Sequence, residues 1–211
     1  MDDARTLEGA RVSGIPDAAA IQDEEQLRAE IYGVLARLLA EPPDAAMLAA
    51  LARMSGAESA LGSAFGELAG AAAAATVAGA AREYHELFIG VGRGELLPYA
   101  SYYLTGFLHE RPLAELRGAL ASLGIERARG VSEPEDHIAS LCEVMAGLIT
   151  GAFAPPGSLA EQRKFFEAFL APWAPRFFRD LEEATSARLY ARVGRIGRLF
   201  LEVEQAAFAI D

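Results

Sequence analysis

One cysteine, Cys142, stands in a chain of 211 residues, so no intramolecular disulfide can form and a reducing compartment suits the composition. Histidines number three, His85, His109 and His137, and none belongs to an HExxH, CxxC or His–Cys cluster. Zinc therefore has no ligand set here, and no metal site is expected. No GxSxG elbow is present, which leaves an α/β-hydrolase nucleophile without support. No apolar run reaches the roughly 18 residues a membrane-spanning helix requires. The opening residues carry Asp2, Asp3, Arg5, Glu8 and Arg11 in place of an apolar segment, so no secretory signal is expected.

What is abundant points one way. Hydrophobic residues make up 52% of the chain and charged ones 23%, a globular balance. Ala and Leu dominate over β-branched residues, which favours helix over strand. The formal net charge of −11 opposes nucleic-acid phosphates and anionic lipid, and would draw in a basic peptide.

Periodicity predicts a loose tail over residues 1–20 and one all-helical domain over 21–211, a bundle-like fold of about eight or nine helices. Asp23 reads as the N-cap of a first helix carrying Leu27, Ile31, Val34, Leu35, Leu38 and Leu39, closed by Pro42 and Pro43. A second helix is expected over 44–54, and one or two more between Glu58 and Phe88. Short helices follow over 101–109 and 112–123. Ser132-Glu-Pro-Glu135 reads as a capping box opening a helix that runs to Gly151, and Ser158-Leu-Ala-Glu161 as another. Two last helices fit 175–184 and 187–209. No alternating strand pattern stands out.

Two segments carry chemical interest. Gly90-Val-Gly-Arg-Gly94 is glycine-rich, but it lacks the GK[ST] ending of a P-loop and follows a helix, so it reads as a connector. Asp136-His137 is suggestive, yet neighbours on a helix point apart and do not make a dyad. An aromatic group (Tyr84, Phe88, Tyr99, Tyr102, Tyr103, Phe107) surrounds the glycine-rich loop, and a second gathers around Trp173. Both fit a core, and the first also fits the lining of a peptide groove.

Tyr84-His-Glu-Leu-Phe-Ile-Gly90, Gly94, then Pro98-Tyr-Ala-Ser101 and Tyr103 resemble the central motif of the TorD/DmsD family of redox-enzyme maturation chaperones. Glu133-Pro-Glu-Asp-His-Ile138 resembles that family's second signature. Gln162, Phe165-Phe166, Trp173, Phe177-Phe178, Tyr190, Phe200-Leu201 and Glu204 fit its C-terminal pattern. The resemblance covers roughly Glu24 to Ala209, and it implies a cytoplasmic, non-catalytic chaperone without a cofactor of its own. The implied partner is a molybdenum oxidoreductase catalytic subunit, bound through its twin-arginine signal peptide, its apo form or both, so that cofactor insertion precedes export. No nucleic acid and no membrane insertion are implied, and a homodimer stays open. The peptide-binding residues it implies are Leu87, Phe88, Pro98, Tyr99, Ser101, Tyr103, Glu133, Pro134, Glu135, Asp136 and His137. The carboxylates of Glu133, Glu135 and Asp136 would receive guanidinium groups, and Leu87, Phe88, Tyr99 and Tyr103 the apolar part. Two alternatives remain: an assembly factor for a non-exported respiratory subunit, and a nucleotide-binding or nucleotide-hydrolysing enzyme using the glycine-rich loop and Asp136.

Overall fold

The computed structural model describes residues 18–126, 133–153 and 155–210. Among them are ten α-helices and one π-helical turn, with no strand and a single isolated bridge, Tyr99 with His137. The helices are α1 (Ala18–Ala40), α2 (Ala45–Leu51), α3 (Ala60–Ala74), α4 (Val77–Tyr84), α5 (Ala100–Thr105), α6 (Arg111–Ser122), α7 (Ile138–Thr150), α8 (Leu159–Phe169), α9 (Ala174–Glu183) and α10 (Leu189–Phe208). The all-α class holds, and the count exceeds expectation because the region before Phe88 divides. Thr76 accepts the amide of Gly79 and starts α4 afresh, so the chain bends by 116° after α3.

The α1 and α7 pair forms one side of the core and the α3, α9 and α10 group the other. α7 is apolar on nearly every face (Ile138, Leu141, Cys142, Val144, Met145, Leu148 and Ile149 are all buried) because α1 and α8 both pack on it. α9 and α10 approach so closely that glycine is required. A Cβ on Gly194 would lie 2.5 Å from the amide nitrogen of Glu182, and one on Gly197 would lie 2.2 Å from the Phe178 ring. Trp173, Tyr32, Tyr190, Phe166, Phe177, Phe178 and Phe200 fill the centre. Burying each such side chain is worth on the order of 2–3 kcal/mol before entropy is charged against it.

Five polar side chains tie the halves together. Arg28 on α1 forms a two-pronged pair with Glu204 on α10, at 2.6 and 2.9 Å, and donates to Gln162 on α8 at 3.1 Å. Tyr32 donates to the same carboxylate at 2.9 Å. Glu83 on α4, also buried, accepts from the amides of Arg188, Leu189 and Tyr190 and so caps α10 from another helix.

Two sequence expectations move. Helix α1 begins at Ala18, five residues before Asp23, so Asp23 lies inside it and is not its cap. α7 begins at Ile138, with His137 as its cap, and Glu135 lies in the preceding loop. Ser132 is outside the described residues, as is most of the tail expected over 1–20. The capping box at Ser158 and Glu161 forms as read, opening α8. No single helix among the described residues is long and apolar enough to cross a membrane.

Candidate functional site

The two segments that carry the resemblance lie about 35 residues apart and are joined here main chain to main chain. The amide of Ile138 donates to the carbonyl of Pro98 at 2.9 Å, and the amide of Ala100 donates to the carbonyl of Asp136 at 3.0 Å. The Asp136 carboxylate accepts the amide of Ser101 at 2.8 Å. Asp136 therefore caps the short helix α5 from a distant loop, a role that sequence spacing alone conceals. Asp136 is 1% exposed, and Ser101 and Pro98 are buried with it.

His137 is buried beside it. Its Nδ1 accepts the amide of Ala139 at 3.1 Å, and the Tyr99 ring meets the imidazole edge to face at 5.2 Å. Burial pushes His137 down to about 4, against the opposing pull of Glu133 and Asp136. The imidazole is therefore neutral at neutral pH. Tyr99 donates to Glu133, and burial followed by that carboxylate pushes the Tyr99 hydroxyl up, so it stays a donor. Glu133 is exposed. Glu135 is held by Arg117 of α6, at 2.8 and 3.0 Å.

The remaining expected residues fall elsewhere. Leu87 is fully buried in the core. Phe88 sits among Tyr84 and Tyr190, with ring centroids 5.0 and 5.5 Å away. Tyr103 faces Trp173 and Phe177 and donates to Asp180 at 3.0 Å. The structure thus brings together Pro98, Tyr99, Ser101, Glu133, Pro134, Asp136 and His137, and leaves Leu87, Phe88 and Tyr103 outside that cluster.

The glycine-rich loop is a tight turn. Residues His85–Ile89 form the π turn, closed by the Gly90 amide on the His85 carbonyl at 2.7 Å. Gly90 has φ +62°, and a Cβ there would lie 2.0 Å from the carbonyl oxygen of Arg93. Beyond the turn, Glu95 accepts the amides of Thr185 and Ser186 at 2.6 and 3.1 Å, which fastens the loop to the start of α10. These anchors fit a connector better than a phosphate cradle.

Glu133 and His137 face a groove of about 510 Å³ between α1 and α7. Gly33, Arg37 and Ala40 form one wall, and Ser140 and Glu143 the other. The sequence reading missed Gly33, Arg37 and Glu143. The available signal was a glycine and a charge on the outer face of a long helix, which ordinarily means only solvent contact.

Because Asp136 is buried and caps α5, replacing it by alanine leaves the Ser101 amide without its acceptor. Asp136→Ala is expected to lower stability by about 1–3 kcal/mol. Urea unfolding followed by circular dichroism measures this, and Asp136→Asn, which keeps an acceptor oxygen, is expected to lose less.

This is an all-helical fold in which a groove lined partly by carboxylates adjoins a buried Asp–His pair. The nitrate reductase delta subunit family model matches residues 40–179, and the chain belongs to that family. It is 28% identical over 132 residues to the chaperone protein TorD of Vibrio cholerae, covering 59% of this chain and 60% of that one. It is 30% identical over 130 residues to the TorD chaperone of Aliivibrio salmonicida, covering 58% and 60%. The match thus spans about 60% of these relatives' length. In fold it is similar to the crystal structure of a protein described as a redox enzyme maturation protein from Archaeoglobus fulgidus. That likeness has a TM-score of 0.52 at 21% identity and covers 92% of this chain and 99% of the other. The TorD-like resemblance read from the motifs is borne out by these matches.

Proposed function

We propose that the protein is a non-catalytic cytoplasmic chaperone for a molybdopterin-containing oxidoreductase subunit, binding its twin-arginine signal peptide, its apo form or both. The observation that carries this reading is the groove between α1 and α7, where the exposed Glu133 and Glu143 line the same surface as His137, with Arg37 opposite and paired to Glu41. Two carboxylates on a partly enclosed surface suit paired guanidinium groups, and the chain's acidity favours the encounter. The relatives named chaperone TorD support the same role. Within this reading Tyr99, Glu133 and Pro134 touch the peptide. Pro98, Ser101, Asp136 and His137 hold that surface in place from beneath, and Leu87 and Phe88 support the loop leading to it.

The test is titration of a fluorescent leader peptide bearing an Arg-Arg pair. Glu133→Gln and Glu143→Gln together are expected to weaken binding by about tenfold or more, with an unchanged melting curve. Equal affinity for wild type and double variant would remove the groove from the reading. A second reading, suggested by the family's description as nitrate reductase delta subunit, is an assembly factor for a non-exported respiratory subunit. A twin-Lys peptide that competes as well as twin-Arg would favour that alternative, since lysine lacks the planar two-pronged geometry.

A further inference from the structure

Gly33 lies exposed in the middle of α1, where glycine costs roughly 1 kcal/mol relative to alanine. The fold does not ask for it: a Cβ there would meet no heavy atom within 4 Å. Gly70 and Gly118 are equally open, but neither lines a groove described here. Gly33 and Arg37 border both the acid-lined groove and a second one, of about 570 Å³, among α1, α2 and α3. That second groove is apolar over Leu27, Ile31, Val34, Met54 and Phe65, with Leu27 57% exposed. Glu30, Arg37 and Ser55 are the polar groups at its edge.

We infer that the two grooves form one bipartite seat across Gly33, carboxylates at one end and the apolar surface at the other, for a segment that is basic first and apolar next. This rests on the function proposed above and relocates the apolar contact from Leu87 and Phe88 to α1, α2 and α3. Leu27, exposed, and the half-buried Val34 lie on one side of α1, with the buried Ile31 between them as the floor of the groove. From Leu27 to Ala40 the seat runs about 20 Å, which suits about 13 helical or six extended residues. The missing side chain at Gly33 lets a partner backbone cross α1 closely. Methionine at Met47 and Met54 suits varied apolar sequences, because its unbranched chain repacks easily. Arg37, which borders both grooves, is paired with Glu41, so its charge is compensated at the junction.

The test uses the full chain and two synthetic peptides. One carries Arg-Arg followed by an apolar stretch, and in the other that stretch is replaced by Gly and Ser. Gly33→Phe and Met54→Glu are each expected to weaken the first peptide by about tenfold or more. Met54→Glu should leave the already weaker second peptide unchanged, whereas Gly33→Phe, which borders both grooves, should weaken it too. Gly33→Phe projects into open space, so its melting temperature is expected to match or exceed that of wild type. Unchanged affinity in both variants, with Glu133→Gln still weakening, overturns the bipartite seat while the proposed function stands. A change in oligomeric state without a change in peptide affinity also overturns it, because a second copy would then be the occupant. Wild type that binds neither peptide overturns the proposed function, and the seat with it.

Discussion

Arg28→Met is expected to cost about 3–5 kcal/mol, because it leaves the Glu204 carboxylate charged inside the core with its strongest partner gone. Glu204 is 1% exposed, and the Tyr32 hydroxyl, at 2.9 Å, would be its main remaining donor. Burial, and next the carboxylate itself, already push the Tyr32 hydroxyl well up, so it donates without ionising. Arg28 also supports Gln162, which in turn donates to the Gly157 carbonyl at 3.1 Å, so α1, α8 and α10 all lose a link. For a chain of this size the melting temperature should fall by roughly 6–20 °C. The informative companion is Arg28→Met with Glu204→Leu, which removes both charges. It should recover most of the loss, since a well-packed apolar pair often matches a buried ion pair. A double variant as unstable as the single one would show that the packing of Arg28 over the Phe208 ring, 5.3 Å away, matters more than its charge.

This network shows what was legible in the sequence and what was not. The helices with strong apolar spacing, α1, α7 and α10, were readable because a 3.6-residue period survives in one dimension. The capping box at Ser158 was readable because both partners lie within four residues. Glu204 left a local trace: it lies on the same stripe as Phe200 and Phe208, four residues from each, so a carboxylate interrupts a buried ridge. Its partner Arg28 is 176 positions away, and no local rule names it. Asp136 failed for the same reason. Its carboxylate is spent on α5, 35 positions back in the chain, and His137 takes the capping role at α7. The resemblance placed Asp136 and His137 near Tyr99 and Ser101, which the fold does too. It did not distinguish residues that face solvent from residues that hold them, because burial is a property of packing and not of a motif. The grooves on α1 were illegible because three separate helices build them, and Gly33 stands out only once the space above it is known.

Acid should loosen the same site. His137 is neutral in the folded protein down to about pH 4, since burial opposes its charge more than Glu133 and Asp136 favour it. In the unfolded chain an imidazole takes its proton near 6.5. Between these values the unfolded state binds one more proton than the folded state, so stability rises with pH and falls as pH drops. The contribution is fully present above 6.5, is reduced by about 2 kcal/mol at pH 5, and by about 3 kcal/mol at pH 4. Protonating Nδ1 also removes the acceptor of the Ala139 amide, so the start of α7 and the groove wall above it loosen together. His137→Asn keeps a strong N-cap acceptor without the titration. The wild type should therefore lose about 2 kcal/mol more than His137→Asn between pH 7 and pH 5 in urea unfolding. His85 and His109 are common to both proteins and drop out of the difference. Identical pH slopes would mean that His137 carries its proton in the folded state as readily as in the unfolded one, and the neutral, buried cap described here would be wrong. If the slopes differ as expected, peptide affinity should hold in wild type down to pH 5 and fall only as pH approaches 4, where the folded-state imidazole takes its proton and the cap is lost. It should hold in His137→Asn, which links the stability of the Asp136–His137 segment to the surface it supports.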